Sequence, residues 1–473
     1  MGINVFYITQ SDLLADNDFR CDCKFFSFWS KSKWNFLDNP LSKALSISLN
    51  EVLIPSYSNF YFEEDKEYKG IPTGKEYLDE HGFIISYQNI TQENKPDRLK
   101  YSANKEHVLI SSLRGAKSPA LNFDYDISNY VFSNGFYIFK VKEGWNIKFI
   151  LHLLRSNWLK AAIDNNIYRG IGISAYKETD LLKIRLPFIS IEIQNECAEQ
   201  ILPIEQSIFE LKSEIKSDSA IINDVFSRCF SWDLSKFEEL RQIHIINTPF
   251  AVFANNLDVR FSFKFHNKAG EYVMSVLKTQ TSKRIKDYTA EDITLGKGIS
   301  PSDYDENGEQ YYVSMADIKN WRFEPEEAKK VFQSYFNANP NKRIAINDII
   351  MARSGEGTIG KVAIIDNDEN EGVYADFTMR IRLKNYNPLF AYYYFRTDFF
   401  QHLIYTHKKG LGNNTNIFPS QIQEFPIPEL TIKQQENIVS EIKASIDAQR
   451  EIEKQIQEKQ QEISKIIIDA IKS

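Results

Sequence analysis

With 473 residues, 42% of them hydrophobic and 14% aromatic, the chain is long enough for roughly two to four domains with real cores. Its net charge of −7 argues against a uniformly basic nucleic-acid binder and leaves room for a local basic groove. No run of about 18 apolar residues suggests a membrane span, Met1-Gly2-Ile3-Asn4-Val5-Phe6 suggests neither signal peptide nor myristoylation site, and four cysteines suggest no disulfide framework, so a cytoplasmic protein is expected.

In chain order, Phe19-Arg20-Cys21-Asp22-Cys23-Lys24-Phe25 has strand spacing, with both cysteines on one side. A metal would need further ligands nearby, and none has suitable spacing, so no metal is expected. Residues 40–55 read as short helix or loop. Ile85 to Ile90 begins as a strand and ends in a polar turn. Val108 to Leu113 is a strand running into Arg114-Gly115, and Asn134 to Phe139 is another. A helical stretch from Ile147 to Ala162 leads to the glycine loop Arg169-Gly170-Ile171-Gly172. After Pro187 comes a polar helix with apolar residues at Ile201, Leu211, Ile215, Ile222 and Val225. Pro203 should kink or restart it, because proline removes a backbone hydrogen bond.

The chain then repeats itself. Arg260, Lys264 and Phe265 stand 240 residues after Arg20, Lys24 and Phe25. Residues 272–290 again read as short helix or loop. Gly298-Ile299 and the stretch Val313 to Ile318 match Gly70-Ile71 and Ile85 to Ile90 at an offset of 228. The offset then returns to 240–241: Ile349 to Gly355 matches Val108 to Gly115, Asp376 to Ile381 matches the next strand, and Leu389 to Tyr405 matches the helix. Lys408-Lys409-Gly410-Leu411-Gly412 matches the glycine loop, and Pro428 and Gln435 match Pro187 and Gln194. The last stretch is a long helix with Ile442, Ile456, Ile463 and Ala470 on one heptad position and Ile438, Ile452 and Ile466 on the other. Gln449, Lys459 and Asp218 interrupt the two seams. A nearly constant offset marks a repeat of domain, helix, domain, helix.

Asp348 to Gly355, Gly357-Thr358-Ile359-Gly360-Lys361-Val362-Ala363, Pro428-Glu429-Leu430 and Gln434-Gln435, carried on this repeat, resemble the DNA-specificity (S) subunit of type I restriction-modification systems. The resemblance covers most of the chain and is strongest in its second half. The first half departs from it, with Ser112-Leu113-Arg114-Gly115-Ala116-Lys117 lacking the second glycine turn and only Gln194 left of the glutamine pair. The resemblance implies a mixed α/β fold with two target-recognition domains, 1–186 and 233–427, and two helices, 187–232 and 428–473, that pair as an antiparallel coiled coil. It implies that each domain reads one half of a bipartite site on double-stranded DNA while the helices set the spacer. Two methyltransferase subunits and restriction subunits would be the partners, holding S-adenosylmethionine and ATP with magnesium. The chain itself would be non-catalytic and carry no cofactor.

The residues agree on chemistry. No Asn/Asp-Pro-Pro-Tyr/Phe motif of an adenine methyltransferase is present; Asn387-Pro388-Leu389-Phe390 lacks the second proline. His107, His244 and His407 are scattered without ligand spacing. Gly355-Glu356-Gly357-Thr358-Ile359-Gly360-Lys361 has the spacing of a phosphate-binding loop, but Val362 replaces the magnesium-binding Ser or Thr and a strand is expected next. A tight hairpin is the plain alternative, from which Arg353, Ser354, Thr358 and Lys361 could approach DNA. Lys408, Lys409, Asn413 and Asn414 form a second candidate set, since lysines neutralise phosphates and asparagines pair with adenine; the alternative is an ordinary solvated loop. Arg114, Lys117, Arg169 and Ser174 are the first-half candidates, whereas Arg20 and Arg260 read as structural. Rival functions are a DNA-recognition adaptor of another defence system, an enzyme built on the Gly355 loop, and a coiled-coil scaffold.

Overall fold

The computed structural model describes residues 46–472, apart from 75, 80–81, 113–119, 157–158, 160–175, 247, 250, 253–259, 261, 368 and 411–413. The chain divides into two compact units, residues 1–213 with 454–473, and residues 214–453. Arg20, Cys21 and Cys23 lie outside the described residues.

The first unit is built on β1 (Leu53–Pro55), β2 (Tyr68–Ile71), β3 (Gln88–Ile90), β4 (Leu99–Ser102), β5 (His107–Ser111), β6 (Ala120–Leu121), β7 (Tyr130–Ser133) and β8 (Phe136–Val141). One antiparallel sheet has the order β1-β8-β5-β6. Its β5 is buried at every position, which is why it reads as an apolar run without alternation. In a second sheet β2 and β7 run parallel, flanked by β3 and β4. Helix α1 (Ile147–Arg155) follows, its first turn capped by the Asn146 side chain, which accepts from the backbone N–H groups of Lys148 and Phe149. Helix α2 (Ile191–Glu214) is continuous through Pro203, so it does not restart there. Pro203 is exposed, where water can satisfy the carbonyl that proline leaves unpaired. The break comes later, at residues 215–217, and places Ile215 in solvent, 37% exposed, instead of in the seam.

The second unit repeats the scheme. It opens with α3 (Asp218–Phe230) and α4 (Lys268–Gln280). Its strands are β9 (Thr294–Leu295), β10 (Gln310–Val313), β11 (Lys330–Val331), β12 (Ile349–Ala352), β13 (Val362–Ile364), β14 (Gly372–Tyr374) and β15 (Thr378–Ile381). The antiparallel sheet has the order β9-β15-β12-β13, the same connection as before. In the first unit Val108 faces Phe139 and Ser111 faces Phe136; here Ile349 faces Ile381 and Ala352 faces Thr378. The parallel pair recurs as β10 and β14, with Tyr311 opposite Gly372 where the first unit has Lys69 opposite Tyr130. Strand β10 is therefore the counterpart of β2, 242 residues on, and the expected excursion to an offset of 228 is wrong. The Gly-Ile match behind it is a sequence coincidence; the backbone pairing fixes the equivalence.

The helical stretch after β15 is two helices, α5 (Pro388–Arg396) and α6 (Asp398–His407), separated at Thr397, whose hydroxyl accepts from the Phe400 N–H and caps the second. Their aromatic faces make the core with Phe226 of α3 and with Trp232, whose ring stacks on Phe399 at 4.4 Å. Helix α7 (Ile432–Lys472) closes the chain. In the second unit α3 packs against its first part in antiparallel sense: Arg228 pairs with Glu441 at 2.7 Å, and the Lys216 N–H donates to Gln449 at 2.8 Å. Gln449, read as a flaw in the seam, thus holds the break between α2 and α3. Asp218 is also partnered, by Arg396 at 3.3 Å.

Along α7 the buried apolar residues are Ile438, Val439, Ile442, Ile446, Ile456, Ile463, Ile467 and Ala470. Ile467 and not Ile466 is buried, because a helix of 3.6 residues per turn drifts against a seven-residue repeat. Each unit joins its domain to a helix by a glutamine. The N–H of Asn146 donates to Gln194 Oε1 at 2.8 Å, and Gln194 Nε2 donates to the Ile189 carbonyl at 2.8 Å. In the same way the Asn387 N–H donates to Gln435 Oε1 at 2.8 Å, and Gln435 Nε2 donates to the Leu430 carbonyl at 2.9 Å. Both glutamines are 1% exposed.

Candidate nucleic-acid interface

Two stretches far apart in sequence meet beyond the end of β12: the turn 353–361 and the loop 408–418. Gly355 and Gly360 sit at φ of +84° and +83°, which only glycine adopts without strain, and they fold the chain back tightly into β13. Lys361 is followed by that strand and not by a helix, so no helix N-terminus is available to cradle a phosphate and the phosphate-loop reading falls. The loop docks on the hairpin through its backbone. The Ile417 N–H donates to the Arg353 carbonyl at 2.9 Å, Ser354 Oγ to the Thr415 carbonyl at 3.2 Å, and Thr358 Oγ1 to the Ser354 carbonyl at 2.7 Å.

Glu356 ties the two together. It accepts from Lys408 Nζ at 2.7 Å and from Thr415 Oγ1 at 3.2 Å. Its hydrogen bond from Lys408 holds its carboxyl below the usual carboxylate range. Arg260 donates to the carbonyls of His407 (3.1 Å) and Lys408 (3.0 Å), satisfying groups that a helix end leaves without intrahelical partners. It is structural, as its sequence context suggests.

Of the sequence-derived candidates, Lys409 and Asn414 are exposed and Arg353, Thr358 and Lys361 are partly exposed. Ser354 and Lys408 are buried, 8% and 7% exposed. Lys408 as a phosphate contact is therefore revised: its charge is spent inside the protein on Glu356, where it pins the loop. Asn413, Arg114, Lys117, Arg169 and Ser174 lie outside the described residues.

Three aromatic residues are not among the sequence-derived site candidates. Phe377, in the turn between β14 and β15, is 46% exposed, and the Arg353 guanidinium lies 5.5 Å from its ring centre. Tyr405 and Phe418 are 37% and 39% exposed, with Lys264 Nζ 5.2 Å from the Tyr405 ring. In the sequence Phe377 reads as part of a strand from Asp376 to Ile381, which hides it; the strand begins only at Thr378. The surface so formed combines cations, amides and aromatic faces, the groups that meet phosphates and base edges. Among the described residues no three His, Cys, Asp or Glu side chains cluster to hold a metal.

The first unit keeps the frame in its described residues. The Ser112 N–H donates to the Gly135 carbonyl at 2.9 Å, as the Arg353 N–H donates to the Phe377 carbonyl at 3.0 Å. The Tyr176 N–H donates to the Ser112 carbonyl at 3.2 Å, as that of Ile417 does to Arg353. Ser112 is thus the backbone equivalent of Arg353.

No protein-family model and no curated protein matches the chain. Several solved structures are similar to it, among them the following three. One, described as the structural basis underlying complex assembly and conformational transition of the type I R-M system, shares 15% identity over 90% of this chain and 97% of that chain, with a TM-score of 0.48. The HsdS subunit from Thermoanaerobacter tengcongensis shares 14% identity over 90% and 96%, with a TM-score of 0.35. The type I restriction-modification system S subunit from M. genitalium shares 11% identity over 89% and 94%, with a TM-score of 0.40.

Proposed function

We propose that the chain is the DNA-specificity subunit of a type I methylation and restriction complex. Each domain reads one half of a bipartite site on double-stranded DNA, and the helices fix the number of unspecified base pairs between the halves. Two methyltransferase subunits and the restriction subunits supply the chemistry in the cytoplasm, with S-adenosylmethionine and ATP with magnesium bound to them. This chain supplies the address.

The observation that carries this reading is the repeat itself: one hydrogen-bonding frame used twice, each copy clamped to a helix by an equivalent glutamine, with different residues at the tip. Two copies of one frame with unlike tips suit the recognition of two unlike short sequences. At the second tip Lys361 is partly exposed and Lys409 and Asn414 are exposed; in this reading the lysines neutralise phosphates and Asn414 meets a base edge.

The test is methyl transfer. The purified chain with S-adenosylmethionine should modify nothing, and adding its methyltransferase partner should yield modification at one bipartite sequence. Methyl transfer, ATP hydrolysis or DNA cleavage by the chain alone would support the enzyme alternative. Modification without sequence preference would support the scaffold.

A further inference from the structure

We propose that Arg353 and Phe377 work as one unit that reads two adjacent base pairs, a guanine and a neighbouring thymine, and so distinguishes the half-site of the second domain from that of the first. The inference rests on the DNA-recognition function proposed above and adds which side chains read which chemistry.

The two domains place these residues on the same backbone frame and fill it oppositely. The second has Arg353 and Phe377 where the first has Ser112 and Gly135, joined by the same N–H to carbonyl bond. Folding does not account for Phe377. It stands in a two-residue turn, Asp376-Phe377, where small and polar residues are favoured, and the first domain uses Asn134-Gly135 there. Nearly half of Phe377 is in water. The first domain could not take the same residue unchanged, since a Cβ on Gly135 would lie 2.8 Å from Thr73 Oγ1. In the second domain Met315 follows β10 as Thr73 follows β2, and it lies instead against Thr358, 3.8 Å from Oγ1.

Arg353 is prepared for such a task. Its Nε donates to the Asp376 carbonyl at 3.0 Å, which fixes the guanidinium beside the Phe377 ring. Its terminal nitrogens have no hydrogen-bond partner among the described residues. A guanidinium fork matches O6 and N7 of guanine, and an apolar ring matches the thymine 5-methyl group; both are displayed in the major groove. A pair held side by side would meet neighbouring base pairs. Lys361 and Lys409 lie on the same hairpin and loop, for the flanking phosphates.

The experiment uses the full chain with its methyltransferase partner and selects sites from randomised duplex DNA. One half-site should contain guanine next to thymine. Replacing that thymine with deoxyuridine removes only the methyl group, and replacing the guanine with 7-deazaguanine removes only N7. Each change should weaken binding by the unaltered protein roughly five- to a hundred-fold. Phe377→Ala should bind normal DNA about as weakly and be indifferent to deoxyuridine, with Phe377→Leu between the two. Arg353→Ala should lose sensitivity to 7-deazaguanine. The other half-site should be read as before by every variant, and unchanged melting would show that each is folded. Unaltered protein indifferent to both base changes, a half-site lacking the pair, or Phe377→Ala selecting the same site at the same affinity would overturn the inference. A wild-type protein that selects no bipartite site would overturn the proposed function and this inference with it.

Discussion

Lys408 and Lys409 are neighbours in sequence and opposites in structure. The sequence marks both as phosphate contacts, since a lysine pair before Gly410 is all it displays. Which one is buried depends on Glu356, far away in the chain, and on the way Thr415 closes the loop over it. The two substitutions should therefore separate. Lys409→Ala should weaken DNA binding on all sequences and lower the slope of log affinity against log salt by about 1. Lys408→Ala should leave the slope alone and lower the melting temperature by roughly 2–4 °C, as expected for a loss near 1 kcal/mol in a domain of this size. Equal salt slopes for both variants would contradict the assignment. Two histidines of α6, His402 and His407, carry a pH dependence. Burial pushes His402 and His407 down to about 4, opposed for His407 by its bond to the Leu403 carbonyl and reinforced by nearby arginines. Their unfolded forms take up protons first as pH falls below about 6.5. Stability is thus intact above that value and declines toward pH 4, by about 2 kcal/mol for each histidine. Urea midpoints across this range should fall, and His402→Gln should flatten the fall; a midpoint constant from pH 7 to 4.5 would contradict it.

At the scale of elements, strands were legible where an apolar run is buried on both faces, as in β5 and β12, and helices where the helical period is long, as in α7. Helix-internal Pro203 misled because proline is judged against a buried helix, and this one is exposed. Strand equivalence misled more: β2 and β10 are only four residues each, and their identity lies in the parallel partner rather than in their side chains. The glutamines were visible as a repeated letter, and only the structure shows what they hold. Gln194 and Gln435 each accept a helix-start N–H and donate to a carbonyl, so removing either leaves buried polar groups unpaired. Gln435→Ala should destabilise the second unit by about 1–3 kcal/mol and speed amide exchange at Asn387, leaving Asn146 protected; Gln194→Ala should do the reverse. Exchange at Asn387 unaffected by Gln435→Ala would deny the clamp its role. Gln434, matched by Ile193 in the first half, is less consequential: its side chain only accepts from Thr431 at the exposed start of α7.

At the scale of the whole molecule, the repeat gave away the architecture because two copies must satisfy the same backbone frame. It concealed the site because the copies differ on the shared frame, with Arg353 and Phe377 in one where the other has Ser112 and Gly135. If the helices measure the spacer, their length should set it. Duplicating the heptads Gln206–Lys212 in α2 and Glu453–Lys459 in α7 keeps the seam in phase and adds about 10 Å of helix, or roughly three base pairs. The same two half-sites should then be selected with a spacer about three base pairs longer, provided the library offers all spacings, because three pairs also turn the duplex by about 100°. Recovery of the original spacer would refute the helices as a ruler. The most direct test of the central claim needs no variant. The unaltered chain, with its methyltransferase partner, is challenged with randomised duplex DNA and the retained sequences are read. Two short conserved blocks separated by a fixed number of unconserved pairs are predicted; one continuous block, or no conserved block at all, would contradict the account.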